Sequence, residues 1–201
     1  MVSKGFTIWF TGLSGSGKTT IAQAVGTALR ARGLTVELLD SGRIRQQLNR
    51  HLGFTREEIE TNLLRLGYEC KLLNRNEVVA IVTAVSPYRD TRDRLRREIG
   101  AFVEVYCRCP LEILMKRGAR ELFEKAQRGE IQHVAGVNAP YEEPIKPEIL
   151  LNTDQLTVEQ STHQVMTTLE LLGRIERRES ACYTPEEEEM IRSRLQDLGY
   201  L

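Results

Sequence analysis

The chain has 201 residues, 41% apolar and 28% charged, with 28 Lys and Arg balanced by 28 Asp and Glu. This composition describes a single folded domain with a full apolar core and excludes a disordered chain. Zero net charge leaves no whole-molecule field for nucleic acid or an anionic membrane, so any anion must be held locally.

FTIWFTG (6–12) reads as a short buried strand, and TIAQAVGTALRARG (20–33) has helical spacing with Gly33 as a stop. LTVELLD is a second strand. A long helix is expected over 56–76, a β-branched strand over 77–86, and a helix in TRDRLRREIG. AFVEVYCRC (101–109) is a further strand, and PLEILMKRG opens a helix with Pro110 at its start. Strands alternating with helices predict an α/β fold: a three-layer sandwich with a mainly parallel sheet and right-handed crossovers. Ligands in such sheets bind beyond the carboxyl ends of the strands.

Other features have plain structural readings. The N-terminal MVSKGFTIWF lacks a signal peptide's length and cleavage site, and no run reaches the roughly 18 apolar residues of a membrane span. The expectation is a cytoplasmic protein without a membrane or nucleic-acid partner. Cys70, Cys107, Cys109 and Cys182 form no C-x-x-C pair and read as reduced thiols, with Cys107 and Cys109 on one strand face. His51, His133 and His163 are far apart and read as surface or helix-end residues. Trp9 and the stripe Leu63, Leu66, Cys70, Leu73 read as core, and RDTRDRLRR as a solvated basic face that could border an anionic substrate.

The first strand ends in GLSGSGKTT, which fits G-x-x-x-x-G-K-[ST] in the strand-to-helix setting that motif requires. Gly12, Leu13, Ser14, Gly15, Ser16 and Gly17 would turn backbone N–H groups toward phosphate oxygens. Lys18 would supply charge to the β and γ phosphates of ATP, and Thr19 a hydroxyl to Mg²⁺. Downstream, LLDSGRIRQQ (38–47) reads either as a strand end turning into a helix or as the metal and anion end of a transfer site. The phosphate loop favours the second reading, because Asp40 ends the next strand and should lie beside that loop.

Five motifs in order resemble the adenylyl-sulfate kinase family: TIWFTGLSGSGKTT, LGFTREEIETNLLR, VSPYRDTR, FVEVYCRCPLEILMKRGARELFEKAQRGEI and GVNAPYEEP. The resemblance runs from about Phe6 to Leu172 and implies a phosphate-loop NTPase-type fold. It also implies phosphorylation of the 3′-hydroxyl of adenylyl sulfate, a small nucleotide, by ATP with Mg²⁺. It makes Asp40 the metal-linked or base carboxylate and puts Arg45, Asn62 and Arg65 toward the sulfated nucleotide. Phe54 would stack on the acceptor's adenine. Ser86 matches a serine described as a phosphoserine intermediate, although direct transfer needs no such step, and its neighbours Pro87 and Tyr88 belong to the same acceptor motif. Arg117 and Arg120 lie in the lid segment, Arg117 toward ATP.

The chain departs from the pattern chiefly on the acceptor side. The family's L-D-G-D-N reads Leu39-Asp40-Ser41-Gly42-Arg43, so the second aspartate is missing and Arg43 stands beside it, where it could restore some charge. Ile59 and Leu64 replace two arginines, Val134 replaces a stacking aromatic, and an acidic pair reads Asn138-Ala139. These changes leave open a relative that phosphorylates another small hydroxyl acceptor, or a nucleotide-binding protein without turnover. Retained Lys18, Thr19, Asp40 and Ser86 speak against the last.

Residues 1–172 read as the kinase domain and 173–201 as a linker with a C-terminal helix. Thr184 is a predicted N-cap, Pro185 the first helical residue, and Ile191, Leu195 and Leu198 one apolar edge. That edge could dock on its own domain or on a partner such as a second copy in a homodimer.

Overall fold

A computed structural model describes residues 5–177 and 185–200. The elements follow in chain order as β1 (Thr7–Thr11), α1 (Lys18–Arg30), β2 (Val36–Asp40), α2 (Ser41–Leu48), α3 (Arg56–Arg75), β3 (Val79–Thr83) and α4 (Arg89–Ile99). After these come β4 (Phe102–Arg108), α5 (Leu111–Lys116), α6 (Arg120–Gln127), β5 (Ile149–Asn152), α7 (Val158–Leu171) and α8 (Pro185–Asp197). The five strands form one parallel sheet in the order β2-β3-β1-β4-β5.

β1 and β3 are buried at every residue, as near-continuous apolar runs in a sheet covered on both faces must be. Alternation along β1 divides the core. Ile8 and Phe10 join Ile21, Val25 and Leu29 of α1 and Val165 and Leu169 of α7 on one face. Trp9 joins Leu63, Leu66 and Cys70 of α3 and Leu95 of α4 on the other. At Gly67 any side chain would meet Leu95 Cδ2 at 2.4 Å, so this glycine lets α3 and α4 approach closely. A third cluster, Cys109, Leu114, Phe123 and Val134, holds the lid segment together.

Several elements differ from the sequence expectation. α1 starts at Lys18 because the phosphate loop itself delivers the first turn. β3 spans only 79–83: Glu77 takes φ 60°, and Ala84 to Ser86 leave the sheet for the cleft. α3 begins at a capping box in which Thr55 and Glu58 each satisfy the other's backbone N–H. The helix after Pro110 stops at Lys116, and α6 follows separately. α2 is the helix that one reading of LLDSGRIRQQ offers, while α6, β5 and α7 are not assigned from the sequence.

Cys107 and Cys109 do not share a face. Cys107 packs in the α1/α7 core and Cys109, beyond the strand end, in the lid cluster. Cys70, Cys107 and Cys109 are free and buried, while Cys182 and the predicted cap Thr184 lie outside the described residues. No helix among the described residues is long and apolar enough to cross a membrane. The apolar edge of α8 docks on its own chain beside α7, with Ile191 and Leu195 buried and Leu198 half-buried.

Candidate active site

The site starts where β1 ends. Gly12, Gly15 and Gly17 have φ of 142°, 81° and 86°, values that side chains resist. A side chain on Gly12 would also lie 2.4 Å from the carbonyl oxygen of Cys107. The loop therefore closes tightly on β4 and opens directly into α1, presenting the first-turn N–H groups outward. Lys18 is buried and its ammonium donates to the carbonyls of Gly12 and Leu13, both at 2.8 Å. Burial pulls its pKa down from the ordinary lysine value to about 8, against the charges of Cys107 and Asp40, which pull it up. Ser16 Oγ is buried without a protein hydrogen-bond partner.

Asp40 ends β2, which pairs with β3 through Asp40 and Thr83. Its Oδ1 caps α2 by accepting from the Arg43 N–H at 3.0 Å. Its Oδ2 accepts from Thr83 Oγ1 at 2.9 Å and from Thr19 Oγ1 at 3.4 Å. The strand-end reading of LLDSGRIRQQ describes the local geometry. Asp40 is a strand end and helix cap, and those bonds hold its carboxylate against the phosphate-loop threonine.

A cavity of about 510 Å³ opens from this point, within the size range of small-molecule sites. Ser14, Gly15, Lys18 and Thr19 form its phosphate end, and Asp40, Arg45, Phe54, Ile59, Asn62, Ser86, Pro87, Tyr88, His133 and Val134 line the rest. The Arg45 guanidinium lies over the Phe54 ring at 4.5 Å and donates to the Gly53 carbonyl. Phe54 itself is 57% exposed, an open aromatic face at the mouth. Asn62 is buried and fixed on both sides, donating to Ser41 Oγ and accepting from Asn49.

A second cavity of about 430 Å³ flanks the phosphate loop on the β4–β5 side. Its lining includes Leu13, Cys107, Arg108, Pro110, Asn152 and Asp154.

Ser86 sits at the cleft floor with φ 39°, a strained value for a non-glycine residue. Its hydroxyl is turned inward, accepting from Trp9 Nε1 at 3.1 Å and donating to Thr11 Oγ1 at 2.9 Å. With the residue only 2% exposed, that hydroxyl pins the cleft floor to β1.

Other expected site residues are placed elsewhere. Arg65 bonds Asn49 and, with Leu64, Tyr68 and Leu48, borders a separate surface groove. Arg117 donates to the Thr153 carbonyl at 2.8 Å, and exposed Arg120 pairs with Glu124 within α6; neither lines the cleft. Arg43 gives Asp40 its backbone N–H, and its side chain is not in the lining either. Of the two apolar replacements in α3, Ile59 faces the cavity and Leu64 does not. The basic helix α4 is not simply a solvated face, since Arg92 is buried. Sequence reasoning also passed over Tyr141, whose hydroxyl lies 3.0 Å from Thr11 Oγ1, and set His133 aside as a surface residue, although it lines the cleft with φ 62°. Tyr141 stands in the quoted motif GVNAPYEEP, which was the available signal.

A parallel sheet with a glycine-rich phosphate loop, a buried lysine and a facing carboxylate defines a phosphate-loop phosphotransferase acting on a hydroxyl group. The adenylylsulphate kinase family model matches residues 4–152. An adenylyl-sulfate kinase of Rippkaea orientalis is 46% identical over 173 residues, 86% of this chain and 96% of its own length. A probable bifunctional SAT/APS kinase 2 of Sorangium cellulosum is 44% identical over 88% of this chain, which spans only 30% of that larger protein. The Mycobacterium tuberculosis APS kinase CysC, solved in complex with AMPPNP and APS, superposes with a TM-score of 0.78 at 34% identity over 84% of this chain and 99% of its own. The chain belongs to the adenylyl-sulfate kinase family.

Proposed function

We propose that this protein transfers the terminal phosphoryl group of ATP to the 3′-hydroxyl of adenylyl sulfate, giving 3′-phosphoadenylyl sulfate. The observation that carries this reading is the pairing of Asp40 with Thr19 at one end of a cleft that carries the Arg45–Phe54 pair along its wall. The triphosphate lies along Gly12–Thr19, with the nucleoside of ATP in the cavity by Arg108 and Asn152 and the acceptor in the larger cleft. The Arg45 guanidinium faces the acceptor's anionic group and Phe54 its base.

In the transfer, the acceptor oxygen bonds to the γ-phosphorus as the bond from that phosphorus to the β–γ bridging oxygen breaks. Asp40 takes up the hydroxyl proton, and Lys18 neutralises charge on the leaving diphosphate. The donor set fits Mg²⁺, which binds few protein oxygens and completes its shell with phosphates and water: Thr19 and Asp40 would hold it. Held there, the ion would supply positive charge to offset the charge that builds up in the transfer.

Ser86 has both hydrogen-bonding roles of its hydroxyl filled inside the protein, which favours direct transfer over a phosphoserine. Residues 1–172 carry the groups assigned to the reaction.

ADP release measured with adenylyl sulfate, with other small hydroxyl-bearing nucleotides and sugars, and with no acceptor tests the assignment. Turnover with adenylyl sulfate above all others is expected. Turnover with a different acceptor alone would replace it, and release with none would reduce the protein to a nucleotide binder.

A further inference from the structure

Two arginines of α4, one buried and one half-buried, turn their guanidinium groups to partners within the chain. Arg92 is 2% exposed, and its guanidinium spans three acceptors: Glu104 Oε1 at 2.8 Å, the Ser86 carbonyl at 2.5 Å and the Glu142 carbonyl at 2.6 Å. Arg96, one turn later, donates to Glu148 Oε2 at 2.9 Å and to Glu104 Oε2 at 3.3 Å. Glu148 also accepts from the Glu104 N–H at 2.7 Å and from the Tyr200 hydroxyl at 2.5 Å. A continuous run of hydrogen bonds, mostly between charged groups, thus joins Tyr200, just beyond α8, to the backbone of the cleft floor.

The segment 140–148 is held at both ends, by β1 and α4 near the cleft and by α4 and α8 at the far end. Near the cleft Tyr141 meets Thr11, and Arg92 holds the Glu142 carbonyl. At the far end the guanidinium of Arg194 in α8 donates to the Pro147 carbonyl at 3.1 and 2.9 Å, beside Tyr200 on Glu148. Burial pushes the Tyr200 hydroxyl up to about 12, with Glu148 adding to the effect, so it stays a donor at neutral pH. Burial alone would raise Glu148 too, but the hydrogen bond and charge of Arg96 outweigh it and hold that carboxylate below its usual value.

Such a network responds as a unit, because Glu104 divides its two oxygens between Arg92 and Arg96. Ser86, at φ 39°, keeps its strained backbone only while its surroundings over-determine it. The family model matches residues 4–152, so α8 lies outside the matched span.

We propose that α8 and Tyr200 form a strap that sets the acceptor wall of the cleft. Tyr200 is a positioning residue acting through Glu148, Arg96, Glu104 and Arg92 on the backbone at Ser86 and on residues 140–142. The identity of the acceptor in this proposal rests on the function proposed above.

The test compares the full chain with Tyr200→Phe, which keeps the ring and removes the hydroxyl, and with a chain ending at residue 184. Two quantities are read: KM for adenylyl sulfate against KM for ATP, and the emission of Trp9, the one tryptophan of the chain, whose indole N–H bonds Ser86. The acceptor KM is expected to rise about fivefold or more, the lower range of site-to-site coupling. The ATP KM should stay within about twofold, and Trp9 emission should shift without nucleotide. An unchanged acceptor KM, or an equal rise for both substrates, overturns the strap, even if Tm falls. Should the full chain not use adenylyl sulfate at all, the substrate assignment fails by itself. Trp9 then decides the strap: a shift on Tyr200→Phe supports it and an unaltered spectrum overturns it.

Discussion

The phosphate half and the acceptor half of the cleft are built from different material. The phosphate half is one contiguous stretch, Gly12 to Thr19, whose chemistry is backbone N–H groups shaped by glycines with positive φ, plus one buried ammonium. The acceptor half is gathered from five separated stretches: the start of α2, the region of Phe54 to Asn62, the exit from β3, the lid near Val134, and Ala139–Pro140. Backbone chemistry at fixed spacing tolerates little variation, whereas a wall assembled from scattered side chains can change one position at a time. The departures from the family pattern that line the cleft, Ser41, Gly42, Ile59, Val134 and Ala139, belong to the second half.

The comparison breaks most severely at Lys18. Lys18→Ala is expected to lower turnover by about a thousandfold or more, the scale of losing a charge on the transferring phosphoryl group. A near-parental kcat on saturating substrates would sink the phosphate-half assignment. Asp40→Asn should cost about a hundredfold in kcat, as when a positioned base is removed. Equilibrium ATP binding should survive it, because the amide still reaches Thr83 and the Arg43 N–H. Unaltered kcat would move the base elsewhere and leave Asp40 a helix cap.

The pH profile separates the halves without mutation. Lys18 must be charged to hold phosphate, and burial has lowered its pKa in the free protein to about 8. From neutral pH up toward that value kcat/KM for ATP should be flat. Above it the cation is lost and kcat/KM should fall, approaching about tenfold per pH unit. A profile flat to pH 9.5 would show that Lys18 is not the group that matters.

Smaller effects sharpen the acceptor half. Ile59→Arg places a cation on the cleft wall, and a charge-assisted contact of about 1.5–3 kcal/mol should raise kcat/KM for adenylyl sulfate by about tenfold or more. Leu64→Arg should change nothing, because Leu64 borders the other groove. Equal gains from the two would refute the division. Val134→Phe is the poorer restoration: Val134 is 8% exposed inside the lid cluster, and overpacking there costs about 1–3 kcal/mol.

By itself the sequence determined the layered α/β class, the order of the first strands and helices, and the phosphate loop. These rest on local rules: apolar periodicity, caps, and a motif whose glycines and lysine are neighbours in the chain. It also pointed to the carboxyl end of β2 as a place beside the phosphate loop, and Asp40 does lie against Thr19 there, although β3 separates β2 from β1 in the sheet. Tertiary structure decided the rest, because side-chain direction depends on packing against elements remote in sequence. Arg65 and Leu64 carry the right spacing yet face away from the cleft, where the pitch of α3 and its packing on the sheet direct them. Nor did spacing show that Trp9 and Thr11, more than seventy residues earlier, hold the Ser86 hydroxyl. Arg92 and Arg96 read as a solvated face because their partners lie on β4, at the start of β5 and in the C-terminal tail. Only the fold brings those carboxylates to α4, where the burial of Glu104 and Glu148 calls for charged partners.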